Sequence, residues 1–207
     1  MIKSGSAAMA AWALSMAACV SPALAGPVEW ETGPNLVFNP GFELTPSIAG
    51  SGWTPSPGTL VEGTDFFVDP NPARAHSGSR SFAGGRVGAL GFISQEIPTV
   101  IGQSYNIHLW LANFSGVSAG TRIDVLWGGS LYYSASDIAA GGGYHEIVID
   151  PIATSTATAM SIGLKHDGGT LNIDDIAVRL VAVPEPASAL LLALGLAGIG
   201  LRRRCRY

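Results

Sequence analysis

Residues able to do chemistry are scattered rather than gathered along these 207 positions. His76, His108, His145 and His166 stand singly, so no zinc-ligand spacing is present. The chain has no G-x-S-x-G elbow, no H-E-x-x-H pair and no phosphate-binding P-loop. Its two cysteines, Cys19 and Cys205, lie in the end segments, which removes thiol catalysis and an internal disulfide from the middle. Glu62 falls near Asp65 and Asp69, and Asp124 can be matched with Glu146. No spacing, however, sets two carboxylates across a cleft as glycoside hydrolysis requires. A glycan-active enzyme is therefore the weakest reading.

Binding chemistry is better supplied. Sugars are held by flat aromatic faces flanked by amide, carboxylate and guanidinium groups. The segment Ser104 to Asn113 alternates, with Tyr105, Ile107, Leu109 and Leu111 facing one way and Asn106, His108, Trp110 and Ala112 the other. Antiparallel pairing of Arg122–Trp127 with that strand would bring Arg122 and Asp124 to the same face. Asn106, His108, Trp110, Arg122 and Asp124 are thus the candidate ligand-binding set, and acidic charge elsewhere on the chain points to a neutral polysaccharide. The competing reading packs Trp110 under a loop and leaves a structural or adhesive protein without a sugar site.

The elements that must position these groups are strands. No stretch between Gly26 and Val183 keeps helical periodicity for three turns, whereas two-residue alternation recurs between breaks of Gly, Pro and Asn. Ile123, Val125 and Trp127 oppose Arg122, Asp124 and Leu126. His145, Ile147 and Ile149 share a side, and Met160, Ile162 and Leu164 alternate with Ser161, Gly163 and Lys165. Trp53 and Trp127 are expected in the core. In the last strand Leu171 and Ile173 share one phase while Ile176, Val178 and Leu180 share the opposite one, which requires a bulge at Asp174-Asp175. Two adjacent carboxylates at a bulge repel unless neutralised, and a cation is the natural candidate. The expected architecture is one all-β sandwich domain over residues 26–182.

The ends differ in kind from the middle. Five of the 11 basic residues (Lys3, Arg202, Arg203, Arg204 and Arg206) lie in segments 1–25 and 184–207 together with Glu185. Six basic residues remain against 14 acidic ones, a net charge of −8 for the middle. Nucleic acid, whose phosphates need clustered Lys and Arg, is excluded as a partner, and so is peripheral attachment to an anionic membrane. Residues 1–25 read as a cleaved signal peptide. Lys3 precedes an apolar stretch from Ala7 to Ala18, and Ala23-Leu24-Ala25 offers signal peptidase a site between Ala25 and Gly26. Met16-Ala17-Ala18-Cys19 loosely resembles a lipoprotein lipobox, so lipidation of Cys19 stands as an alternative.

At the other end Val183-Pro184-Glu185-Pro186 precedes a hydrophobic stretch of 15 residues, Ala187 to Leu201, and an arginine cluster. A helix of that length reaches about 22 Å, short of the roughly 30 Å hydrocarbon core, and the basic end favours the cytoplasmic side. This order resembles the PEP-CTERM sorting signal of Gram-negative bacteria over residues 183–207. The resemblance implies passage through the inner membrane, transient retention there, cutting by an exosortase-type protease near Pro184–Pro186, and a final place at the cell surface or outside.

The middle carries a second resemblance. Asn35 to Glu43 (NLVFNPGFE), Ala75 to Ser81 (AHSGSRS) and Leu171 to Ile176 (LNIDDI) occur in the order found in the galactose-binding-like jelly rolls of many carbohydrate-binding modules. That likeness implies a jelly-roll β-sandwich of antiparallel sheets, a non-catalytic role in an exopolysaccharide-rich layer, and one structural Ca2+. The ligands carried over are Glu43 and either Asp174 or Asp175, with loop carbonyls completing the shell.

Overall fold

Alternating apolar side chains need a second apolar layer to face, and the chain supplies it by splitting its strands between two sheets. The structure, a computed structural model, describes residues 33–181. The expected signal peptide, its Ala25–Gly26 site, and the Val183–Pro186 motif with its hydrophobic segment lie outside the described residues. Ten strands run β1 (Thr54–Ser56), β2 (Phe66–Asp69), β3 (Ser81–Gly84), β4 (Gly91–Pro98), β5 (Tyr105–Ala112), β6 (Arg122–Trp127), β7 (Ser130–Ser136), β8 (His145–Ile149), β9 (Ala157–Lys165) and β10 (Leu171–Leu180). They form two five-stranded sheets, ordered β1-β4-β9-β6-β7 and β2-β3-β10-β5-β8. Every pairing within them is antiparallel. The expected all-β jelly-roll sandwich is the observed architecture.

The core lies between the sheets. Ile107, Leu109 and Leu111 of β5 and Ile173 and Val178 of β10 meet Ile123 and Val125 of β6 and Met160, Ile162 and Leu164 of β9, all buried. Trp53 and Trp127 are buried too, and Phe42 joins Trp53 and Phe82 at ring separations of 5.7 and 5.4 Å. The bulge required by the phase change is present. Asp174 pairs with Trp110 and Ala177 with His108, three steps along β10 against two along β5, and Asp175 takes φ 46° to absorb the extra residue.

One expectation is overturned. Strand β6 does not pair with β5; its neighbours are β9 and β7 in the opposite sheet. The connection 113–121 crosses the sandwich, tied down where Asn113 Nδ2 donates to the carbonyls of Val117 and Ile138 at 2.8 Å each. The apolar side of β6 therefore meets the apolar side of β5 through the core. Their polar sides point to opposite exteriors.

The described chain enters and leaves at one end of the sandwich, called here the exit end. A side chain at Gly33 would sit 3.6 Å from the Leu180 carbonyl, and Val181 N donates to Ser104 O at the start of β5. The β4–β5 and β8–β9 loops share that end, whereas the β3–β4, β5–β6 and β9–β10 loops lie at the other.

Candidate functional site

The expected ligand-binding residues divide between two faces. Asn106, His108 and Trp110 lie on the outer side of β5, but this side is engaged by the protein itself. Asn106 is buried and donates from Nδ2 to Asp150 Oδ1 at 2.7 Å. His108 Nδ1 lies 2.7 Å from Glu146 Oε1. Trp110 is half-buried under the ring of His76, which stacks on it at 4.0 Å and 14°, and Tyr144 meets His76 edge-on at 5.2 Å. The indole face that a sugar would need is covered by the 76–80 turn.

That turn is clasped by the carboxylates at the bulge. Asp174 Oδ2 accepts from the amides of His76 (2.7 Å) and Ser77 (3.3 Å), and Asp174 Oδ1 accepts from Asp175 N. Asp175 engages His76 Nδ1 at 2.7 Å and the Ser77 hydroxyl at 2.8 Å. Burial pushes the Asp174 carboxyl up to about 6, with the Asp175 charge adding to the shift and the amide bonds opposing it. Glu43 turns to the far side of the turn and accepts from the Ser79 and Arg80 amides at 2.7 and 2.8 Å. Desolvation opposes its charge, but those amides and the Ser79 hydroxyl outweigh it and hold the carboxyl low.

The three acids expected to hold calcium therefore share one corner. A Cβ at Gly41 would lie 3.3 Å from Asp174 Oδ1, 3.4 Å from Asp175 Oδ1 and 3.9 Å from Glu43 Cγ. Glycine leaves a small cradle there, edged by oxygens of the hard type calcium prefers. Those oxygens come from Asp174 and Asp175; Glu43 approaches with its Cγ and turns its carboxylate to Ser79 and Arg80. Among the described residues no three His, Cys, Asp or Glu side chains gather into a metal-holding group, so backbone carbonyls would have to supply the rest of a calcium shell.

Arg122 and Asp124 lie on the outer side of the other sheet. Arg122 Nε and NH2 donate to the two Asp124 oxygens at 2.8 and 3.0 Å, a forked pair that the Ser134 hydroxyl joins at 2.7 Å. Burial works against the Asp124 charge, yet the bonds from Arg122 and Ser134 prevail and hold the carboxyl below its usual value. Register places Phe92, Gly163, Asp124 and Ser134 in one row across β4, β9, β6 and β7. Phe92 lies half-buried over Gly163, where an added Cβ would meet three of its ring carbons at 2.5, 2.8 and 2.9 Å. Beside the row, Lys165 pairs with Asp167 at 2.6 Å. A hollow of about 410 Å³ opens there among Gly88, Leu90, Gly120, Arg122, Asp137 and Lys165. This face combines a flat ring, a fixed guanidinium–carboxylate fork, a hydroxyl and an ammonium group. Sequence reasoning found Arg122 and Asp124 but missed Phe92, Ser134 and Lys165; a glycine inside the alternating β9 pattern was the available signal.

Comparison with known proteins agrees with both halves of this description. The family model for the PEP-CTERM protein-sorting motif matches residues 182–204. No curated protein sequence matches the chain. Among solved structures, TmCBM61, determined in complex with β-1,4-galactotriose, is similar at TM-score 0.55 and 20% identity, over 71% of this chain and 99% of its own. The CBM22-1 xylan-binding domain from Paenibacillus barcinonensis Xyn10C is similar at TM-score 0.52 and 16% identity, over 73% of this chain and 97% of its own. A Stig cyclase from Fischerella sp. TAU is similar at TM-score 0.54 and 15% identity, over 74% of this chain and 100% of its own. At such identities the likeness shows the fold, which binding modules and enzymes share. The chain carries a PEP-CTERM protein-sorting motif, which implies export, behind a jelly-roll sandwich.

Proposed function

We propose that the chain is a non-catalytic exported surface protein whose sandwich binds a neutral polysaccharide on the outer face of the β1-β4-β9-β6-β7 sheet. The observation that carries this reading is the row Phe92–Gly163–Asp124–Ser134 with the Arg122 fork at its side. A ring lying along a sheet gives a sugar's C–H face something to stack on, and Arg122, Asp124 and Ser134 offer donors and acceptors beside it for hydroxyls. The similar folds bound to galactotriose and named for xylan support uncharged glycans as the substrate class. The forked pair supports a non-catalytic role, since an Asp124 fully engaged by Arg122 and Ser134 is poorly placed to act as acid or nucleophile.

An exosortase-type protease and signal peptidase are the processing partners this reading requires, and the cell surface is its destination. One Ca2+ at the Gly41 corner, held by Asp174 and Asp175 beside Glu43, would add stability and pin the 76–80 turn without touching the sugar face.

The test is affinity electrophoresis of the purified protein through gels containing galactan, xylan and other neutral polysaccharides. Phe92→Ala and Asp124→Ala should lose retardation, while Trp110→Ala should keep it and lower the melting temperature instead. Retardation lost by Trp110→Ala but kept by Phe92→Ala would move the site to the β5 face. No retardation on any glycan would leave the structural or adhesive reading.

A further inference from the structure

The exit end of the sandwich gathers exposed apolar side chains from three adjoining segments. Val100 and Ile101 in the β4–β5 loop, Ile152 in the β8–β9 loop and Leu180 at the end of β10 are 57%, 60%, 53% and 39% exposed. They are held as one patch. Gly102 N donates to Ala153 O, Ala153 N to Gln103 O and Thr99 N to Thr156 O, so the two loops are laced together. Ser104 bridges Ile152 on one side and accepts from Val181 N on the other. Val100 N donates to the buried Tyr105 hydroxyl at 2.8 Å, which fixes the loop tip to the core.

Charge is sparse at this end as well. Residues 97–121 and 151–164 contain no Asp, Glu, Lys or Arg, although the middle of the chain carries a net charge of −8. The charges bordering the patch are Asp150, which accepts from Asn106, and Arg179, which pairs with Asn106 in register beside Leu180. A rigid apolar end with so few charges on an acidic domain points to an apolar partner.

The position of the chain ends says which. Val181 leaves from the middle of this patch, and the apolar run Ala187–Leu201 begins six residues later. Six residues span about 20 Å at full extension. A membrane-inserted sorting segment therefore keeps the exit end within that reach of the bilayer, with Val100, Ile101 and Ile152 turned toward it. We infer that the exit end is a bilayer-facing surface: while the sorting segment is membrane-held, Val100, Ile101, Ile152 and Leu180 settle into the interfacial region of an uncharged lipid surface. The contact is interfacial rather than spanning. Once the tail is cut, four apolar residues alone no longer retain the domain.

The test uses the full chain with Cys19 and Cys205 replaced by Ser, reconstituted in phosphatidylcholine vesicles. A single cysteine is placed at Ile101→Cys or at Val87→Cys in the β3–β4 loop of the opposite end, 70% exposed, and labelled with an environment-sensitive fluorophore. Lipids bearing a quencher just below the headgroup should quench the label at position 101 several-fold more than the label at 87. Adding Val100→Glu and Ile152→Glu should remove that difference without changing the melting temperature, since both side chains are exposed. Equal quenching at the two positions would overturn the inference. So would failure of the chain to float with vesicles, or a label at 101 shielded in proportion to protein concentration rather than lipid, which would make a second copy the partner.

Discussion

Replacing Gly163 by Ala tests the proposed sugar face without removing any group from it. A Cβ at this position would lie 2.5 Å from Phe92 Cε1, 2.8 Å from Cδ1 and 2.9 Å from Cζ, well inside any tolerated contact, so the ring must swing off the sheet. The backbone has no objection, because Gly163 is not one of the positive-φ glycines. Alanine in a strand is favoured over glycine by roughly 0.5–1 kcal/mol through the entropy of the unfolded chain. Displacing the half-buried Phe92 costs burial of about the same size. The melting temperature should therefore move little. Binding should not be spared: a stacking contribution of about 1 kcal/mol corresponds to about fivefold in Kd. Affinity electrophoresis against a dilution series of the bound glycan, run beside a thermal melt, reads both quantities. Unchanged affinity with Gly163→Ala would refute the role given to the Phe92 ring. A large fall in melting temperature would show instead that Phe92 is part of the packed structure rather than a platform.

Three further outcomes are expected. Arg122 and Ser134 hold the Asp124 carboxyl below the usual aspartate value, so the fork is fully formed above about pH 4 and is lost as pH falls through the lowered folded value. Glycan retardation should drop only in that acid window, and Asp124→Asn should weaken binding at neutral pH while flattening the acid dependence. Chelation of a calcium-loaded sample should lower the melting temperature, because an ion at 100 times its Kd contributes about 2.7 kcal/mol by linkage. Asp174→Ala with Asp175→Ala should abolish the chelator's effect, and a melt indifferent to EDTA would remove calcium from the corner. Replacing Pro184-Glu185-Pro186 by alanines should leave a longer, membrane-retained product in a host with the processing protease, since consecutive prolines hold the recognised stretch extended; normal cutting would contradict this.

Periodicity carried the sequence a long way on the strands. The alternation of Tyr105, Ile107, Leu109 and Leu111 reads directly as the buried side of β5, and all four are buried. The phase slip between Ile173 and Ile176 reads as the bulge that register shows. Alternation says which side of a strand is apolar, however, and not which sheet the strand joins. In a sandwich the two choices put the polar side on opposite exteriors, which is why Arg122 and Asp124 part from Asn106, His108 and Trp110. Trp110 lies on the side of β5 that alternation assigns it, but the group that covers it, His76, arrives from a distant turn clasped by Asp174 and Asp175, and such loop docking has no periodic signal. The Phe92–Gly163 contact was hidden likewise, because it is made between neighbouring strands that lie far apart in the chain.

The two proposed surfaces fit one orientation. The hollow beside Arg122 is lined by Gly88, Leu90, Gly120, Asp137 and Lys165. These residues belong to the loops and strand ends opposite the exit end, where Arg86 bridges Lys165 at the close of β9. A domain held by its exit end against a bilayer therefore turns this hollow outward, with the Phe92–Ser134 row running along its flank between the two. A single ring of modest stacking strength gives weak attachment for one molecule. Many copies facing outward from the same surface raise the effective concentration of sites along one long glycan. Orientation matters to that gain, since copies tumbling freely after release present their rows in every direction. Glycan attachment should therefore be far stronger for full chains displayed together on one vesicle than for the same number of domains free in solution, even though the site itself is identical in both.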